Sequence, residues 1–184
     1  IVQPTHILDG IENNVMKEAV LSYKDSFDQI VFGSPLLGTS DDETRAIAAV
    51  TSEFKNLKET DALVLMGHGT THQINTAYAE LDRHFKSLGH SNVFIGTVEA
   101  DPTIHDLVKE VTEFHPTAIY LTPFMIVAGD HAHHDMAGDS PDSWVGQFHA
   151  TGFEVCPVLK GLGEYTGIRT IFIDHIKKAI SMLH

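Results

Sequence analysis

Three scarcities in this chain of 184 residues narrow the classes of protein to which it can belong. It contains one cysteine, Cys156, so it cannot form an internal disulfide framework, and such usage is typical of a reducing compartment. Its 12 Lys and Arg residues are scattered, and its net charge is −13, which argues against nucleic acid as a partner because phosphate binding needs clustered basic side chains. No apolar run approaches the roughly 20 residues of a membrane-spanning helix. We therefore predict a cytoplasmic protein that binds neither nucleic acid nor membrane.

Histidine, by contrast, is abundant. The chain has 13 histidines, and they are dispersed through it instead of being gathered in a terminal run. Neutral imidazole is the commonest metal ligand that proteins use. With 42% hydrophobic residues, the chain is long enough to bury the core of one sizeable domain or of two small ones. The composition therefore favours a globular protein and directs attention to metal binding.

Short apolar runs alternate with longer amphipathic segments along the whole chain. The apolar runs are rich in β-branched and aromatic residues and end in Gly, Pro or polar residues, which predicts buried parallel strands. The segments between them have the length and pattern of helices. The predicted strands are 29–35, 61–69, 92–99, 117–125 and 153–159, and the predicted helices are 9–27, 40–58, 73–88, 103–115, 142–151 and 164–183. This alternation predicts an α/β fold with parallel sheets flanked by helices.

The chain is predicted to divide near Lys58–Thr60 into two lobes. Residues 1–59 would be the remainder of an N-terminal α/β lobe, and residues 60–184 would form the C-terminal α/β lobe. The last helix, 164–183, could pack back on the first lobe. The chain opens on IVQPTHI, which is typical of the end of a buried strand, and lacks an initiator Met, so we expect that preceding residues have been lost.

Imidazole and carboxylate side chains follow three of the predicted strands, at the point where each strand ends. His68 follows the strand at 62–66, Glu99 follows the strand at 92–96, and the run DHAHHD at 130–135 follows the strand at 118–121. Because ligands gather outside the carboxyl ends of strands in open α/β sheets, these groups are expected at one edge. Two histidines and one carboxylate suit a divalent first-row metal, whereas a closed structural site would use four N or S ligands. The sequence therefore predicts an open metal site.

For the polar residues near these candidates, the sequence also allows roles other than metal binding. His72 is expected to be exposed or to cap a helix. His133 and His134 cannot both share the direction of His131, so at least one of them should face solvent. Asp130 either binds a metal or accepts a hydrogen bond from a neighbouring imidazole, and both interpretations stay open.

Four stretches of the chain closely resemble the sirohydrochlorin cobaltochelatases of anaerobic cobalamin biosynthesis, which are class II tetrapyrrole chelatases. They are LMGHGTTHQINTAY, FIGTVEA, TPFMIVAGDHAHHDMAGDSPDSW and KGLGEYTGIRTIFIDHI. QPTHI and GSPLL are similar to that family as well, so the resemblance runs the whole length. Members of the family have two similar α/β lobes facing each other across a cleft. This sequence lacks the first part of the first lobe, including its opening strand and an SFGTS-like loop.

The resemblance implies that His68, Glu99 and His131 are the metal-binding and catalytic residues. It implies insertion of Co²⁺ into sirohydrochlorin or precorrin-2, with release of two pyrrole protons and without a nucleotide cofactor. The histidines would be ligands and proton acceptors, and Glu99 would add ligand charge and carry protons away. The expected partners are sirohydrochlorin and a divalent metal ion, and a homo-oligomer is left open.

Several alternatives remain at this stage. The same chemistry could use Fe²⁺ or Ni²⁺, because ligand type alone does not separate these metals. A non-catalytic tetrapyrrole-binding or metal-binding protein would present the same residues. A metal-dependent hydrolase is disfavoured, since a dinuclear site would need more carboxylates.

The acidic charge of the chain opposes binding of sirohydrochlorin, which itself carries carboxylates. Binding would need local cations or the N–H groups of helix N-termini. The candidate cations are Arg45, Arg83, Lys86 and Arg169, although a solvated surface position is the expectation for each of them.

Overall fold

The computed structural model describes residues 1–70 and 73–183, so the prediction for His72 lies outside the described residues. Contacts divide the chain into two compact units, of which one is formed by Ile1–Glu53 with Gly163–His184 and the other by Phe54–Leu162. The lobe boundary predicted near residue 59 stays a prediction. Among the described residues, no helix is long and apolar enough to cross a membrane.

The second unit is built around one sheet of four parallel strands in the order β2-β1-β3-β4. The predicted α/β class with parallel strands and flanking helices is therefore confirmed. The strands are β1 (Ala62–Gly67), β2 (Val93–Thr97), β3 (Ala118–Pro123) and β4 (Glu154–Pro157). The helices of both units are α1 (Ile11–Leu21), α2 (Ser40–Glu53), α3 (Thr76–Ser87), α4 (Ile104–Phe114), α5 (Trp144–Ala150) and α6 (Thr166–Ile180).

Every residue of the central strand β1 is buried, because both of its neighbours in the sheet are strands and both of its faces are covered. Alternate residues of a strand point to opposite faces, so Ala62, Val64 and Met66 share one face. That face belongs to a core cluster whose other members include Phe94, Leu107, Val111, Ile119, Leu121, Trp144 and Phe148. This core holds the strand ends in place.

The run predicted as a strand at 29–35 forms only an isolated parallel bridge, between Val2 and Phe32. The N–H of Val2 donates to the carbonyl of Val31, and the N–H of Gly33 donates to the carbonyl of Val2. The next bond of this ladder would need an N–H at Pro4, and proline has none. The apolar run 29–35 therefore pairs at a single bridge and does not form a longer strand.

The helices α2 and α6 pack against each other in the first unit. A Cβ at Gly167 would lie 2.6 Å from the Cβ of Ala49, so glycine permits this close approach. The buried His175 of α6 contacts Asp42 of α2, with 3.0 Å between Nε2 and Oδ1. The last helix therefore groups with residues of the first unit.

A three-charge network on α3 and α4 yields a pH-dependent prediction. Lys86 Nζ lies 2.6 Å from an oxygen of Asp82 and 2.8 Å from one of Glu110. Burial raises the pKa of Asp82, and the hydrogen bond from Lys86 opposes that effect. Because the folded-state pKa exceeds the ordinary value of 3.8, ionised Asp82 costs stability as the pH rises through that folded-state pKa. Lys86→Met is therefore expected to lower the free energy of unfolding by about 1–3 kcal/mol near neutral pH, and by less below the pKa of Asp82.

Urea unfolding at an acidic and a neutral pH measures this difference. Lys109→Met is the matched control. Lys109 lies exposed on α4, and its replacement by Met removes the same positive charge as Lys86→Met does. Equal losses for the two variants at neutral pH would contradict the prediction.

Candidate metal centre

Three neighbouring strands end at the same edge of the sheet and carry the predicted ligands. Gly67, the last residue of β1, is in register with Thr97, the last residue of β2. His68 directly follows β1, Glu99 follows β2, and His131 lies in the segment that follows β3. Because β1 is central, His68 occupies the middle of this edge.

The side chains of His68, Glu99 and His131 converge in space. Each offers one ligand atom, and these atoms all lie within 4.8 Å of one another. His68 Nδ1 is 3.7 Å from Glu99 Oε2, and the rings of His68 and His131 meet edge to face with 4.9 Å between their centroids. The side chains are 47%, 50% and 34% exposed in chain order, so an incoming ion can reach all three. In the described part of the chain, this is the only group of three or more such ligands.

Gly69 allows the loop after β1 to approach the loop after β2. Its φ of +86° is in the left-handed region, and a Cβ there would lie 2.8 Å from both Cβ and Oγ1 of the buried Thr97. The N–H of Glu99 donates to the carbonyl of His68, with 3.0 Å between nitrogen and oxygen. Backbone packing and this bond together set the distance between the imidazole and the carboxylate.

His131 is the N-cap residue of a single π-helical turn, Ala132–Met136. The N–H of Ala137 donates to the carbonyl of Ala132, which is the wider hydrogen bond of such a turn. Ala132 and Met136 are fully buried in the core cluster. The turn is thus anchored by its apolar residues, and its polar side chains are left at the exposed edge.

Two His–Asp pairs form on this turn, each with partners four residues apart. His131 Nδ1 lies 2.5 Å from Asp135 Oδ2, and His134 Nδ1 lies 2.8 Å from Asp130 Oδ1. Asp130 therefore contacts an imidazole, as one of its two interpretations predicts, but the ring is that of His134 and not that of the predicted ligand. Sequence reasoning gave no role to Asp135, although its spacing from His131 is that of facing side chains on a helix. His133 and His134 are both exposed, as expected for at least one of them.

The four cations proposed for substrate carboxylates all have partners within their own units. Their contacts are Arg45 with Asp174 at 2.6 Å, Arg83 with Glu80 at 3.9 Å, Lys86 with Asp82 at 2.6 Å, and Arg169 with the carbonyl of Gly163 at 3.1 Å. Substrate binding stays a candidate role for these cations, and a solvated surface position stays the expectation for each of them.

A cavity of about 510 Å³ opens beside Glu99. Its lining includes Thr70, Asn75, Asp101 and Thr103, so it is polar and carries two carboxylates. Such a lining suits water and hydrated cations, and it opposes carboxylate groups.

Thr103 caps the helix α4 at the border of this cavity. Its hydroxyl accepts a hydrogen bond from the N–H of Asp106, and the Asp106 carboxylate accepts one from the N–H of Thr103. Thr103→Ala removes the cap and is expected to lower the free energy of unfolding by about 1 kcal/mol. Urea unfolding measures the loss. Thr103→Ser keeps the hydroxyl and should restore most of it, so equal losses for the two variants would count against the cap.

The chain matches known proteins over almost its whole length. A family model described as cobalt chelatase (CbiK) matches residues 1–181. The sirohydrochlorin cobaltochelatase of Salmonella typhimurium is 35% identical over 181 residues, covering 98% of this chain and 68% of that protein. The sirohydrochlorin cobaltochelatase CbiKC of Nitratidesulfovibrio vulgaris is 34% identical over 185 residues, covering 99% of this chain and 65% of that protein. This chain therefore spans about two thirds of the length of these relatives.

Two solved structures share the fold at 13% sequence identity. The sirohydrochlorin chelatase SirB from Bacillus subtilis subspecies spizizenii in complex with cobalt gives a TM-score of 0.64, covering 98% of this chain and 68% of that one. SirB from Bacillus subtilis with Fe³⁺ gives a TM-score of 0.67, covering 97% of this chain and 70% of that one. The chain thus has the fold of these two structures.

Proposed function

This chain belongs to the cobalt chelatase family CbiK, and from that premise we propose that it inserts Co²⁺ into sirohydrochlorin. The observation that carries the proposal is the convergence of His68, Glu99 and His131 within 4.8 Å at an exposed edge of the sheet. Both matched relatives are named sirohydrochlorin cobaltochelatases. The cytoplasm is the location that we propose for this reaction, because the use of a single cysteine is typical of a reducing compartment.

The three side chains would hold the incoming metal from one side. Three protein ligands leave coordination positions open, as a working site requires, and those positions can receive the pyrrole nitrogens of the macrocycle. The exposure of all three side chains suits a metal that must leave the protein. A buried, four-ligand site would retain the ion instead.

Insertion also requires the removal of two protons from the macrocycle. Co²⁺ and the metal-free macrocycle give the cobalt complex and two protons, so the reaction balances without a nucleotide. An imidazole nitrogen with a free lone pair can accept a pyrrole proton, and we assign this task to His68 and His131. Glu99 is half exposed and lies beside His68, so it can pass protons from the site to solvent.

A spectroscopic assay tests the proposal. Metal-free sirohydrochlorin is mixed with Co²⁺ under anaerobic conditions, with and without the protein, and the absorbance change is followed. We expect the protein to accelerate the spectral conversion with multiple turnovers. Tight binding without acceleration would support a non-catalytic carrier and would overturn the proposal.

The same assay ranks the metals and the macrocycles. Fe²⁺ and Ni²⁺ are compared with Co²⁺ at equal free concentration, because the intrinsic affinity order Fe²⁺ < Co²⁺ < Ni²⁺ would otherwise bias the result. We expect the highest kcat/KM with Co²⁺. A higher value with Fe²⁺ or Ni²⁺ would assign the protein to that metal. Precorrin-2 in place of sirohydrochlorin separates the two tetrapyrrole substrates.

A further inference from the structure

The contact between His131 and Asp135 determines which nitrogen of His131 is free. The distance from Nδ1 to the carboxylate oxygen is 2.5 Å, which is shorter than an ordinary N–H···O bond, so a hydrogen must lie between the two atoms. An ionised carboxylate only accepts hydrogen bonds, so Nδ1 must carry the hydrogen. In the neutral ring, the lone pair is then on Nε2.

The other imidazole of the cluster has the same arrangement with a different acceptor. His68 Nδ1 lies 2.9 Å from the carbonyl oxygen of Gly69, which can only accept. Glu99 is 3.7 Å from the same nitrogen, too far for a hydrogen bond of ordinary geometry. Both rings therefore leave Nε2 as the nitrogen that can bind a metal.

We propose that Asp135 is a positioning residue of the metal site, which holds His131 in the tautomer with a free Nε2 and fixes the orientation of its ring. A carboxylate also raises the basicity of the ring that donates to it, and this strengthens the bond from Nε2 to a metal. The role that we give to the contact between Asp135 and His131 in metal binding rests on the proposed function. The tautomer itself is a property of the protein without any metal.

The turn supplies a matched control in the pair Asp130 and His134. This pair has the same four-residue spacing and a similar contact distance of 2.8 Å. Its side chains are 90% and 74% exposed, and neither residue belongs to the convergent cluster. Asp130→Ala therefore removes an equivalent carboxylate and an equivalent His–Asp contact next to the site.

The first experiment measures the tautomer of His131 in nitrogen-15-labelled protein by long-range proton–nitrogen correlation. Spectra are recorded about two pH units above the ordinary histidine pKa of about 6.5, with His131→Gln used for assignment. We expect wild-type His131 to carry its hydrogen on Nδ1. Asp135→Ala should shift the ring to a mixture of tautomers, whereas Asp135→Asn, which keeps an acceptor oxygen, and Asp130→Ala should not.

The second experiment titrates each protein with Co²⁺ alone by calorimetry. Asp135→Ala is expected to weaken cobalt binding by roughly 10-fold to 100-fold, the usual effect of removing the partner of a ligating histidine. Asp135→Asn should recover part of the loss, and Asp130→Ala should bind as the wild type does. If Asp135 only stabilised the turn, its substitutions would change the stability of the turn. Asp135→Ala and Asp135→Asn would then not differ in this way in the tautomer of His131 and in cobalt affinity.

Either of two results would overturn the proposal. One is a wild-type His131 with its hydrogen on Nε2, which decides the question even if Asp135→Ala fails to fold. The other is equal cobalt affinity in Asp135→Ala and Asp130→Ala. The proposed function is tested separately, since a protein that binds Co²⁺ through His131 and Asp135 but never metallates sirohydrochlorin would refute only the chelatase activity.

Discussion

Replacing His131 with alanine is expected to lower kcat/KM for cobalt insertion by roughly 10²–10⁴-fold, because the substitution removes a side chain that we propose to be both a metal ligand and a proton acceptor. The side chain is 34% exposed and contacts the ring of His68 and the carboxylate of Asp135 at the edge of the sheet, so the fold should persist. The measurement is the initial rate of the absorbance change with sirohydrochlorin and Co²⁺. Far-ultraviolet circular dichroism of the same sample reports the fold.

His133→Ala is the control for this substitution. His133 is exposed on the same turn and is not a member of the convergent cluster. Its loss should leave the rate within a factor of about two, since surface substitutions away from a site have small effects. If His131→Ala retained wild-type activity, the ligand set proposed here would be wrong even though its residues converge.

Gly69→Ala is expected to lower the free energy of unfolding by about 3 kcal/mol and to reduce cobalt binding. Part of the loss is the cost of a left-handed backbone for alanine, which is roughly 1–2 kcal/mol. The rest comes from Thr97, whose hydroxyl is bonded to the carbonyl of Ala100 and cannot move freely. Relief of this clash would displace the carbonyl of Gly69 from His68 and would separate His68 from Glu99. Urea unfolding and calorimetry with Co²⁺ measure the two effects.

Gly152→Ala separates the clash from the backbone cost. Gly152 has the same φ of +86°, and a Cβ there would meet nothing within 4 Å. Its replacement should therefore cost only the roughly 1–2 kcal/mol of the left-handed conformation. If both variants lost the same stability, the contact between the two loops would contribute nothing.

The strands of the second unit were predictable because each is an apolar run bounded by turn residues. The runs at 61–69, 92–99 and 117–125 contain β1, β2 and β3, and the residues that follow them meet at one edge of the sheet. The run at 29–35 has the same composition but forms a single bridge. Its pairing depends on Pro4, which is distant in sequence, so the pattern of the run alone could not reveal the interruption.

The partner of His131 could not be assigned from the sequence. Asp130 and Asp135 both lie within four residues of an imidazole, and only the position of the π-helical turn decides which carboxylate meets which ring. Such a turn has no recognisable sequence pattern, and here its place is set by the burial of Ala132 and Met136. Packing, and not the order of polar residues, selects the pair.

The three proposed ligand positions lie in segments that follow adjacent strands, and this limits how the preference for one ion over another can change. The lateral repeat of a β-sheet is about 4.8 Å, and no side-chain substitution alters it. The ends of β1, β2 and β3 would thus keep the same spacing whichever ion is handled. Evolution or design could tune this protein towards another ion through the loops that follow these strand ends and through the side chains that the loops carry.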